Sequence, residues 1–131
     1  MKTKNVVPWF EIYVHDIERA KTFYETVLEL KMEVMPMSED GGVMVAFPWT
    51  DDAPNAAGAL VKNNMSKPSS TGTVVYFDCD NCENALNKVE KAGGKIIMPK
   101  TSAGEFGFFC LFSDTEGNTV GFFLKNRRTF F

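Results

Sequence analysis

The chain has 131 residues, is 44% hydrophobic and carries a formal net charge of −3. That is enough for one domain with a proper core, or for two very small units that share one. There is no basic stripe to neutralise phosphates, no run of about 18 apolar residues to span a bilayer, and no apolar leader in the N-terminal MKTKNVVPW, so neither nucleic acid nor membrane is an expected partner.

Residues 9–28 begin as a strand and turn into a helix. Trp9, Glu11 and Tyr13 fall on one strand face and Phe10, Ile12 and Val14 on the other. Asp16 is placed to cap the helix, Glu18 adds a carboxylate to its first turn, and Ile17, Ala20, Tyr24, Val27 and Leu28 form an apolar stripe. Strands are expected over residues 31–37, 43–47 and 58–62, with the turn SEDGG and the loop PWTDDAPNA between them. The polar NNMSKPSSTG reads as a linker. A strand over 74–79 and a helix over 81–92 follow, the helix ending at Gly93-Gly94. Further strands are expected over 95–98, 108–112 and 119–124, and the locally basic KNRRTFF reads as a solvated tail.

The order is βαβββ, linker, βαβββ. At one constant offset Trp9 aligns with Val74, Asp16 with Asn81, Glu18 with Glu83 and Ala20 with Ala85. After a shift of two residues, Met35-Pro36 aligns with Met98-Pro99 and GALVKN with GFFLKN. The fold expected is therefore α+β: one domain over 1–131, with module one at about 5–63, a linker at 64–71 and module two at about 72–126. Each module has one sheet face covered by its helix and one bare. Side by side, two such sheets curl into a cup with Trp9, Glu11 and Tyr13, and Val74, Tyr76 and Asp78, looking inward.

WFEIYVHDIERAKTFYETVL, its second copy VVYFDCDNCENALNKVEKAGG, and the closing FSDTEGNTVGFF carry a resemblance. The chain resembles the vicinal oxygen chelate superfamily of glyoxalases, bleomycin-resistance proteins and dioxygenases. That resemblance implies a glyoxalase/bleomycin-resistance-like curved sheet cup and a homodimer. In metal-dependent members each module supplies two ligands, usually a His on the first strand and a Glu on the last, which hold a divalent metal and leave positions open for substrate oxygens. The matching positions here are Trp9, Gly58, Val74 and Gly121, and none can ligate through its side chain. No metal and no cofactor are therefore expected.

The remaining chemistry is sparse. His15 is the one histidine and sits at the strand-to-helix corner. Cys79 and Cys82 form a C-x-x-C with no second pair for zinc. A redox role for them stays beside a structural one, and all three cysteines are expected to be free thiols in a reducing cytoplasm. Glu11, on the cup face, could act as acid or base, orient a ligand, or pair with Lys62 or Lys100. Phe106 lies in a loop able to cover a cup's mouth. Three functions remain open. The first is a metal-free binder of a small aromatic or amphipathic molecule, using Trp9, Glu11, Tyr13, Gly58, Lys62, Tyr76, Phe106 and Gly121. The second is a lyase- or dioxygenase-type enzyme, and the third a structural or regulatory module without ligand.

Overall fold

The structure is a computed structural model and describes residues 5–36 and 41–126. Module one comprises β1 (Trp9–Tyr13), α1 (Ile17–Leu28), β2 (Glu33–Val34), β3 (Val43–Ala46) and β4 (Ala57–Lys62). Module two comprises β5 (Tyr76–Asp78), α2 (Cys82–Lys91), β6 (Lys95–Ser102), β7 (Gly107–Ser113) and β8 (Thr119–Lys125), with a 3₁₀ turn, Gly104–Phe106, before β7. Each module folds into a four-stranded mixed sheet, in the orders β1-β4-β3-β2 and β5-β8-β7-β6. In both, the first strand lies parallel to the last, since the helix between them is a crossover.

The expected elements are all present, with shifted ends. Tyr76–Asp78 is shorter than anticipated and Lys95–Ser102 is longer. Part of SEDGG, Met37 at the end of the second expected strand, and the tail beyond Asn126 lie outside the described residues. The Asp16 cap is as expected, and its repeat partner Asn81 caps the second helix in the same way. Asp16 accepts from the Arg19 N–H at 3.0 Å and Asn81 from the Asn84 N–H at 2.9 Å, each satisfying one orphan donor of its helix.

One continuous core forms where the helix-side faces of both sheets meet. It contains Ile12, Val14, Phe23, Tyr24, Val45 and Leu60 from module one and Leu86, Val89, Cys110, Phe112, Val120 and Phe122 from module two. α1 is shared between them. Tyr24 packs edge-on to Phe47 at 5.8 Å, while Phe23 reaches Phe112 of the other module at 6.1 Å.

The register corrects one expectation. Phe10 lies opposite Gly58, and Glu11 opposite Ala59. Gly58 therefore belongs to the core face and not to the face of Trp9, Glu11 and Tyr13. A Cβ on Gly58 would sit 2.6 Å from three atoms of the Phe10 ring. In module two Tyr76 lies opposite Gly121, and there the glycine does share the bare face.

Candidate functional site

Two hollows adjoin along the seam between β1 and β5, with Val7, Phe10, Thr73 and Val75 lining both. The larger, about 750 Å³, is walled by Phe10, Phe47, Phe77, Tyr76 and Phe123 and has Asn55, Asp78 and Lys125 at its rim. Its size suits a drug-sized molecule. The smaller, about 470 Å³, is lined by Trp9, Glu11, Tyr13 and the linker residues Lys67, Ser69 and Gly72. The bare face of module one thus lines the smaller hollow, while the larger is walled by the helix-side aromatics Phe10, Phe47 and Phe77 and reaches Tyr76, Asp78 and Phe123 of the other face of module two. No direct ring contact joins Trp9 and Tyr76, which are 39% and 44% exposed, so neither has collapsed onto the other.

On the first face, the Trp9 indole N–H donates to Glu11 Oε2 at 3.2 Å and the Tyr13 hydroxyl approaches Oε1 at 3.4 Å. Alternation along β1 puts all three side chains on one side, and the carboxylate sits between two aromatic donors. The anticipated lysines take other places. Lys62 is exposed at the end of β4 and lines neither hollow. Lys100 lies 4.4 Å from the centroid of the Phe108 ring and 3.9 Å from Glu83.

On the second face, Tyr76 forms edge contacts with Phe109 at 6.3 Å and Phe123 at 6.2 Å. Its ring covers Gly121, where an added Cβ would stand 2.5 Å away. Gly121 thus makes room for the tyrosine itself. The Asn55 side-chain amide donates to the Asp78 carboxylate, tying the β3–β4 loop of module one to β5. Phe106 is 48% exposed on its 3₁₀ turn and lines neither hollow.

A group that the sequence reading passed over joins the modules. Glu116, in the β7–β8 turn, accepts from Arg19 Nε at 2.7 Å and Nη2 at 2.9 Å, and from the backbone N–H groups of His15 and Asp16 at 3.0 and 2.9 Å. Beside it, buried Asp114 accepts from the Tyr24 hydroxyl at 2.6 Å and from the N–H groups of Glu116 and Asn118. Burial, with the nearby Asp114 charge, pushes the Tyr24 phenol well above its usual range, so it remains a donor. Asn118 Nδ2 donates to the Tyr13 carbonyl at 2.9 Å, fixing the strand that carries Glu11. The DTEGN turn is visible in sequence, but a partner 97 residues away is not.

A family profile for the glyoxalase/bleomycin resistance protein/dioxygenase superfamily matches residues 6–122. The chain belongs to that superfamily. It is 24% identical over 121 residues, 91% of its length, to the protein named "Putative glyoxylase CFP32" of Mycobacterium tuberculosis, and covers 45% of that protein. The chain thus spans about half the length of the curated relatives it matches. Among solved structures, a glyoxalase I variant from Zea mays superposes with a TM-score of 0.69 at 20% identity, over 89% of this chain and 45% of that one. TnmS3, an antibiotic binding protein from Streptomyces sp. CB03234, superposes with a TM-score of 0.60 at 20% identity, over 96% and 100% of the two chains. These likenesses establish the fold.

The positions that the resemblance assigns to metal ligands are Trp9, Val74, Gly121 and, with the observed register in place of Gly58, Ala59. None offers a side-chain oxygen, nitrogen lone pair or sulfur to a metal. Among the described residues no group of three or more His, Cys, Asp or Glu could hold a metal ion. The residues present do not fit the metal of the superfamily's lyases and dioxygenases.

Proposed function

We propose that this protein binds a small, flat, amphipathic molecule without a metal, in the aromatic groove along the β1–β5 seam. The observation that carries the reading is a groove of about 750 Å³ walled by Phe10, Phe77, Tyr76 and Phe123, in a fold whose ligand positions lack donors. Aromatic walls reward a flat ligand by about 0.5–1.5 kcal/mol per ring beyond area burial. Asp78 and Asn55 at the rim supply a polar end that selects a cationic or hydroxyl-bearing group. Trp9, Glu11 and Tyr13 form a second wall in the adjoining hollow. A second copy of the chain would bring that wall over the groove, so the proposed functional unit is a homodimer.

An enzyme of the lyase type is the other reading, favoured by the glyoxylase-named relative. It would rest on Glu11 alone as acid or base. The two readings separate in one experiment, a thermal-shift screen of aromatic metabolites and drugs with turnover followed on the same hits. The binder reading expects saturable hits that are recovered unchanged. Tyr76→Ala and Trp9→Ala should each weaken such a hit by about tenfold or more, and Asp78→Asn should weaken only the cationic ones. Hits that shift wild type and all variants equally would remove the groove as the site, and consumption of a hit that stops in Glu11→Gln would favour the enzyme.

A further inference from the structure

Where β5 hands over to α2, Cys79 Sγ lies 3.8 Å from Cys82 Sγ. We infer that these two thiols form a closable redox pair: an intramolecular disulfide that a small disulfide oxidant makes and a thiol reductant reverses. Three observations support it. The sulfurs already touch at 3.8 Å and must close to about 2.05 Å to bond. Cys79 is half-buried and lines a hollow of about 310 Å³ with Asp78, Asp80, Asn81, Asn84 and Lys88, so an oxidant has an entry. Cys82 is fully buried in the first turn of α2, placed to resolve an adduct on Cys79 and shielded from forming one itself.

The chemistry balances with oxidised glutathione. The Cys79 thiolate attacks one glutathione sulfur, its S–S bond breaks, and one glutathione thiolate leaves. The Cys82 thiolate then attacks Cys79 Sγ and expels the second. Two protein thiols are oxidised, one small disulfide is reduced to two thiols, and the two protein protons end on them. Burial, reinforced by the neighbouring Cys82, pushes the Cys79 thiol up to about 12. Little thiolate exists at neutral pH, so closure is slow there and its rate rises about tenfold per pH unit. The same absence of thiolate stabilisation leaves the dithiol form without the advantage that makes strongly oxidising pairs easy to reduce, so the bridge persists once made.

The test is oxidation of the native protein with glutathione disulfide at two pH values, acid quench, unfolding, alkylation and mass spectrometry. The expected product is a monomer that has lost two of its three alkylable thiols, with the bridge inside the tryptic peptide that carries Cys79 and Cys82. Cys79→Ser should keep both remaining thiols alkylable. Three thiols left after prolonged treatment at the higher pH would overturn the inference. So would a stable glutathione adduct on Cys79, a bridge that includes Cys110, or cross-linked dimers as the product.

Discussion

Glu116 is a carboxylate with almost no solvent contact, and what surrounds it decides its charge. Burial alone would raise its pKa. The Arg19 guanidinium, the Asp16 N–H and the Thr115 hydroxyl outweigh burial and hold it down at about 2, against an ordinary 4.5. A depressed folded-state pKa means stability that is present above the unfolded value and lost as pH falls toward the folded one. The difference amounts to about 3 kcal/mol, lost between pH 4.5 and about 2. Glu116→Gln keeps the shape and removes the charge. At neutral pH it should cost about 2–3 kcal/mol, less than a fully buried pair because half of the Arg19 side chain can turn to water. Denaturant unfolding at several pH values measures this. The variant's stability should also flatten between pH 4.5 and about 2, and an acid limb identical to wild type would show that Glu116 is not the titrating latch.

At the scale of elements, the sequence exposes types and order more readily than register. Asp16 and Asn81 mark both helix starts, period-two alternation marks β1, and the repeated GxxxKN-like letters mark the two closing strands. Those same letters mislead about faces. Aligning GALVKN with GFFLKN equates Gly58 with Gly121, whereas pairing with the first strand equates Gly121 with Ala59. A slip of one residue turns a side chain to the other face, and only inter-strand hydrogen bonds reveal it. What the two glycines share is a cross-strand aromatic lying over each, Phe10 in the core and Tyr76 outside it. Gly58→Ala should therefore destabilise by about 1 kcal/mol or more, because the Phe10 ring must leave its contacts with Phe47 at 5.6 Å and Phe77 at 5.9 Å and shift toward the hollows it borders. Chemical denaturation checks it, and an unchanged midpoint would mean that Phe10 does not rest on Gly58. The candidate site was legible in part for the same reason. Trp9, Glu11 and Tyr13 share a face because they alternate, whereas Asn55, Asp78 and Glu116 enter through loops whose contacts span modules.

At the scale of the whole molecule, the helices hold the two sheets together and leave both bare faces looking outward. Trp9 and Tyr76 are among the large apolar side chains this exposes. A two-fold dimer would set module one of each chain against module two of the other, closing two equivalent cups by one isologous contact. Sedimentation should then give twice the chain mass, through an interface of at least about 1,000 Å². Complementation tests the geometry more sharply than mass does. Trp9→Ala damages module one only and Tyr76→Ala damages module two only, so each homodimer has two defective cups. When the variants are mixed and allowed to exchange subunits, each heterodimer holds one cup with both faults and one with neither. Half of the dimers would be heterodimers, so about a quarter of all cups should regain wild-type affinity for a screening hit. If each cup belonged to a single chain, both kinds of chain would stay defective and mixing would restore nothing. Titration of the mixture against each variant alone reads the difference directly, and a flat result from a protein that sediments as a dimer would place the binding groove within one chain.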